Sequence, residues 1–192
     1  MKFSVFVISA ISAASNSLAA SIESRQDQGP GWLVNVHPKA APNKCIGVLG
    51  GKFIVGSSVD IYDCNGSPTQ GWNWGPVPAG GGPSQVFITN PVNSEKFCMD
   101  IAPLNGRPGT NNLVNGAKVV LKKCDVSQKF GRPYATGANG AIVYSMTAGA
   151  GSLCIDLRNG ITTNRNVLQL WSCNEADRTK PFKNQIWTIS EH

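Results

Sequence analysis

Three times along this chain of 192 residues the same order of residues recurs, and no other feature restricts the possible fold so tightly. Each unit opens with a short apolar run, at 32–36, 86–89 and 141–145. A turn containing Pro, Asn or Gly follows. Then comes a cysteine with an apolar neighbour: Cys45-Ile46-Gly47, Cys98-Met99-Asp100 and Cys154-Ile155-Asp156, spaced by 53 and 56 residues (98 − 45 and 154 − 98). A second cysteine ends another strand-like run, at 59–64, 119–124 and 168–173. Each unit finishes on Gln-x-aromatic: Gln70-Gly71-Trp72, Gln128-Lys129-Phe130 and Gln185-Ile186-Trp187.

Six cysteines admit about 15 pairings. The threefold period selects one bridge per unit, Cys45–Cys64, Cys98–Cys124 and Cys154–Cys173, with pairing between units as the alternative. Each bridge would close a loop of roughly 20 to 27 residues, worth on the order of 3 kcal/mol through the unfolded state. Charged residues make up only 15% of the chain, against 21 Gly and 12 Pro, and no long stretch has helical periodicity. Short strands joined by turns are therefore expected. Four strands in each of three units can satisfy their edges only as a barrel or as packed hairpins. The aromatic of each Gln-x-aromatic would fill the shared centre.

The first twenty residues read as a secretory signal: Lys2, an apolar run over 3–11 too short to span a bilayer, then small residues with cleavage after Ala19 or Ala20. Residues 21–30 are a polar arm. The remainder, 31–192, is one domain with repeats of about 31–82, 83–137 and 138–192. An even cysteine count agrees with an oxidising, extracellular setting. The net charge is +6, but Lys and Arg are scattered without interleaved aromatics, so neither nucleic acid nor membrane insertion is expected. Catalysis has little to stand on. The two histidines, His37 and His192, have no metal-spaced companions, and the cysteines are committed to bridges. Neither a cofactor nor a metal is called for, and the chain does not read as an enzyme.

With these repeats the chain resembles the ricin-type (ricin B-chain-like) lectins, a secreted β-trefoil family marked by three Gln-x-Trp repeats. The resemblance runs from about 31 to 190. It implies an all-β trefoil and a sugar-binding function. In a working repeat of that family, an Asp two residues after the first cysteine binds hydroxyls, and an aromatic two before the second cysteine stacks on the ring. A Gln two before that aromatic and an Asn before Gln-x-Trp complete the site, and the Gln of the motif supports the Asp. The third unit matches throughout, with Asp156, Gln169, Trp171, Asn184 and Gln185, which implies a partner glycan ending in galactose or N-acetylgalactosamine. The second unit keeps Asp100 and Gln128 but has Val120, Lys122 and Ser127 at the other positions. The first keeps Tyr62 and Gln70 but has Gly47 for the Asp and Thr69 for the Asn. Both are degenerate sites.

Secreted β-trefoils also include protease inhibitors, which act through a protruding loop. The candidate loops here are 104–114 and 174–183, the latter with Arg178 and Lys180. Gly80-Gly81-Gly82 reads as a connector in a Pro-rich loop. Asn65-Gly66-Ser67 is either a glycosylation sequon, weakened by Pro68, or a turn after Cys64.

Overall fold

The computed structural model describes residues 32–74, 84–102, 114–124, 130–131, 139–144, 152–174, 176–177 and 180–192. The expected signal and arm, the Gly80–Gly82 connector, most of the 104–114 loop, Gln128 and Arg178 lie outside them.

The first unit contributes β1 (Trp32–Pro38), β2 (Lys44–Val48), β3 (Val59–Asp63) and β4 (Trp72–Trp74). The second contributes β5 (Val86–Thr89), β6 (Lys96–Ile101), β7 (Val119–Lys123) and β8 (Phe130–Gly131). In the third unit two of the four expected strands are each broken in two. Its opening strand becomes β9 (Asn139–Gly140) and β10 (Val143–Tyr144), and its third becomes β12 (Asn166–Val167) and β13 (Gln169–Ser172). β11 (Leu153–Asp156) and β14 (Trp187–Glu191) remain whole. The breaks have a physical reason: each half serves a different neighbour. β9 pairs with β14 while β10 pairs with β8 and β11, and β12 pairs with β3 while β13 pairs with β11.

The outer strands of the units close into a ring. β14 pairs with β1, β1 with β4 and β4 with β5; a bridge from Ser84 to Phe130 leads to β8, and β10 and β9 return to β14. The inner hairpins, β2–β3, β6–β7 and β11–β13, cap one end and lean on one another in rotation. Ser58 bridges Val120, Lys118 bridges Gln169, and Asn166 pairs with Ile61. Ring closure leaves no free edge for intermolecular pairing there.

Alternation along the strands decides what faces inward. Val34 and Val36 of β1 and Ile155 and Leu170 of the third hairpin are fully buried, as are all three ring-bearing motif residues, Trp72, Phe130 and Trp187. The two indoles also anchor the hairpins above them. Trp72 Nε1–H donates to the Ile46 carbonyl and Trp187 Nε1–H to the Ile155 carbonyl, both at 3.0 Å. Phe130 has no such donor and packs edge-on against Tyr144 at 5.3 Å. The disulfides join Cys45 to Cys64, Cys98 to Cys124 and Cys154 to Cys173, one per unit.

One buried carboxyl in this framework is costly. Asp60 on β3 is 2% exposed. Burial pushes its pKa up to about 7, against the opposing pull of its own backbone N–H and of Arg165.

Two stability measurements follow. Trp187→Phe keeps a ring in the core but strands the Ile155 carbonyl, and is expected to lose about 1–3 kcal/mol in chemical denaturation with the disulfides intact. For Asp60 the protonated form favours folding, so its contribution is complete below pH 3.8 and disappears as the pH rises through about 7. Asp60→Asn is therefore expected to raise the melting temperature at pH 8 relative to the parent, with the gain shrinking towards pH 4.

Candidate functional site

The third hairpin puts its polar residues on one face by register alone. Asp156 stands opposite Gln169, and Cys154 opposite Trp171. Side chains two apart on a strand share a face, so Asp156, Gln169 and Trp171 lie together on the side away from Ile155 and Leu170. The bridge from Cys154 to Cys173 clamps this hairpin close beside the site.

Asp156 is buried, yet both its oxygens have amide donors. Gln169 Nε2 donates to Oδ1 at 3.0 Å, and Gln185 Nε2 donates to Oδ2 at 3.3 Å. The second proton of the Gln185 amide goes to the Ser172 carbonyl at 3.0 Å, so both of its N–H donors are used in holding the carboxyl and the hairpin. Burial raises the Asp156 pKa above the usual carboxylate range, while the two glutamines oppose the rise. A carboxylate offers about four acceptor directions, and two are used here, leaving the rest for a ligand.

Beside this trio, Trp171 keeps 43% of its surface exposed and is no part of the core. A bare indole face next to a braced acceptor can stack on an apolar patch while hydroxyls reach the carboxyl. Asn184 arrives on the 3₁₀ turn Lys183–Gln185, and its carbonyl accepts the Leu157 N–H at 2.9 Å. Its side chain lies over Gly160, whose φ is 66°: a Cβ there would sit 2.8 Å from Asn184 Oδ1. Glycine is thus required at 160 both for its backbone conformation and for the space. Asn184 makes no hydrogen bond to Asp156. Of the five expected residues, three form a bonded network, Trp171 flanks it, and Asn184 sits on the adjoining turn.

The second unit is arranged differently. Asp100 is buried, but Ile101 N–H donates to its Oδ1 at 2.6 Å and Lys122 Nζ sits 3.0 Å from its Oδ2. Lys122 occupies the position that Trp171 holds in the third unit, so an ammonium covers the carboxyl where an open ring would stand.

The first unit holds a residue that sequence reasoning missed. Gly47 faces Asp60 across the ladder, as Asp156 faces Gln169. The carboxyl has therefore crossed to the other strand, and Asp60 Oδ1 comes within 3.7 Å of where a Gly47 Cβ would be. The hairpin of the first unit thus carries an acid after all, on β3 rather than at Gly47 on β2. Gln70 Nε2 donates to the Asp63 carbonyl at 3.0 Å, the counterpart of Gln185 to Ser172, and its Oε1 accepts Asn65 N–H at 2.9 Å. Tyr62 is 38% exposed. These residues, with Thr69 and with Arg165 from the third unit, line a cleft of about 190 Å³. Asn65 Oδ1 accepts Ser67 N–H at 3.0 Å, so the segment after Cys64 is an Asx turn.

His37 Nδ1 lies 3.7 Å from Cys45 Sγ and 3.5 Å from Cys64 Sγ, but those sulfurs are bonded to each other and offer no thiolate pair to a metal. Among the described residues no helix is long and apolar enough to cross a membrane.

No family model matches the sequence, and no curated protein does. Solved structures are similar in shape. A designed threefold-symmetric protein, ThreeFoil, superposes with a TM-score of 0.62 at 15% identity, covering 83% of this chain and 99% of its own. The ricin B-like lectin of Macrolepiota procera, solved in complex with lactose, gives 0.57 at 18% identity, covering 85% and 98%. The Rhizoctonia solani agglutinin gives 0.58 at 15% identity, covering 85% and 97%. Together with the closed ring, the three capping hairpins and one disulfide per unit, these likenesses identify the fold: the chain is an all-β trefoil.

Proposed function

We propose that this is a secreted, non-enzymatic lectin that binds terminal galactose or N-acetylgalactosamine through the third unit. The observation that carries the reading is the braced Asp156 carboxyl beside the exposed indole of Trp171 on one hairpin face. Galactose has an axial hydroxyl at C4, which leaves C3 to C6 as a continuous apolar patch on one face. Trp171 covers that patch while Asp156 accepts from the hydroxyls at C3 and C4, and an equatorial C4 hydroxyl would lose the arrangement. The lactose named with the Macrolepiota procera lectin also ends in galactose, which agrees with this class of ligand. Secretion is supported by the leader-like 1–20 segment and by three disulfides, which persist in oxidising compartments. The division into repeats of about 31–82, 83–137 and 138–192 gives each unit its own hairpin and its own version of the site. In the second unit, Lys122 on Asp100 leaves the site silent.

A shallow site with one stacked ring and a few hydrogen bonds of about 1 kcal/mol each gives roughly millimolar to high-micromolar affinity, so useful binding comes from multivalency. The test is retention on galactose-agarose with elution by free galactose. Trp171→Ala is expected to weaken galactoside binding by about tenfold or more with little change in melting temperature, since the ring is half exposed. Gly160→Ala is expected to push Asn184 aside and lower galactose affinity, while Asp156→Ala abolishes retention. A protein that passes through galactose-agarose unretarded, or a Trp171→Ala variant that binds as the parent does, overturns the proposal.

A further inference from the structure

We propose that the first unit carries a second site of different chemistry, a cleft for a carboxylate-bearing saccharide such as a hexuronic acid, built on Asp60, Tyr62 and Arg165. This does not rest on the galactose reading of the third unit, because the two sites share no residue.

The argument starts from the transposed carboxyl. In the third unit two amides donate to Asp156, which leaves an acceptor-rich surface for hydroxyl donors. In the first unit the position of Gln169 is taken by Asp60 itself, and Gln70 spends its amide on Asp63 and Asn65. Among the described residues no glutamine braces this carboxyl. A cation faces it instead: Arg165 lines the cleft from the neighbouring unit. Arg165 is held there by its backbone, with φ at 68° and its N–H donating to the Ile61 carbonyl at 2.8 Å. Arg165 is an exposed residue, and among the described residues no salt bridge engages its guanidinium.

The cleft therefore presents donors where the third unit presents acceptors. Guanidinium pairs with carboxylate in two parallel hydrogen bonds. Asp60, with its pKa near 7, also donates while protonated. The half-exposed ring of Tyr62 supplies a flat wall, and Asn65 and Thr69 supply further polar groups for hydroxyls. Missing a side chain at Gly47, the floor stays open; a Cβ there would lie 3.3 Å from Gln70 Cγ and from the Thr69 carbonyl oxygen.

The charged groups around Asp60 are few. From β2 comes Lys44, paired with Asp63 and Asn164 at the far end of the hairpin. From β7 come Lys122 and Lys123, paired with Asp100 and Glu95, and just before it Lys118, bridged to Gln169. β12 presents Val167 opposite Asp60, with Arg165 just before it. Tyr62 is the remaining ionisable group in the cleft.

The experiment uses the full chain with Trp171→Ala, which disables the third unit, and isothermal titration with methyl β-glucuronide against methyl β-glucoside. Expected are saturable glucuronide binding, glucoside binding weaker by about tenfold or more, and a similar loss for glucuronide in Arg165→Ala at unchanged melting temperature. Affinity for glucuronide is expected to fall from pH 6 to pH 8 as Asp60 ionises, and to become flat in Asp60→Asn. No saturable glucuronide binding, equal binding of the uncharged glucoside, or an Arg165→Ala variant that binds as its parent does would each overturn the proposal. None of these outcomes bears on galactose retention by the unmutated protein.

Discussion

The indole N–H of Trp187 is a buried donor with one partner, the Ile155 carbonyl, and the geometry of the third unit follows from that bond. Leaving a donor unpaired in a core is costly, so the bond favours one placement of β11 against β14 at that residue. Asp156 is the next residue along β11 and is therefore placed with it. Gln185 sits two residues before Trp187 and reaches the other side of the same carboxyl. The Gln-x-Trp pattern thus does two things at once: the ring fills the core and ties the hairpin, and the amide braces the residue that the hairpin presents. The first unit repeats the tether through Trp72 and Ile46, and Gln70 again reaches the carbonyl before the second cysteine. In the second unit Phe130 fills space without a tether.

Much of this was legible in the sequence because the repeats carry it. The cysteine spacing gave the bridges, and the resemblance carried by the repeats pointed to Asp156, Gln169 and Trp171, which the hairpin register brings onto one face. The breaks in the opening and third strands of the third unit were not legible. In each broken strand one half forms its ladder within the third unit while the other reaches a neighbouring unit, which is a tertiary effect. Asp60 could have been found: it lies four residues before Cys64, as Gln169 lies four before Cys173. Reading only the positions where the family pattern expects an acid concealed a carboxyl that had moved to the facing strand. Arg165 could not have been found this way, since it enters the first unit's cleft from the third.

The three hairpins show how far one surface can diverge over a constant interior. Ile46, Met99 and Ile155 all point inward after the first cysteine and all are buried. Their outward neighbours are Gly47, Asp100 and Asp156, and the facing positions are Asp60, Val120 and Gln169. Each arrangement resolves the same electrostatic problem, a carboxyl taken largely out of water, by a different partner. Two amides serve Asp156, an ammonium and a backbone N–H serve Asp100, and Arg165 faces Asp60.

Those partners decide what each face can do, since a buried charge must be compensated from within before any ligand arrives. Neutral amides leave the charge of Asp156 uncancelled, so it still attracts hydroxyl donors. An ammonium 3.0 Å from Asp100 offsets that charge directly and stands at the position that the open ring of Trp171 holds in the third unit. Around Asp60, among the described residues, no amide pair is spent on the carboxyl; a guanidinium lines the open cleft instead, so this face carries a cation where the third unit carries neutral amides. The side chains that differ project away from the core, so a change in one unit need not disturb the packing beneath the other two. Separate evolution of ligand chemistry in each unit is what such a scaffold permits.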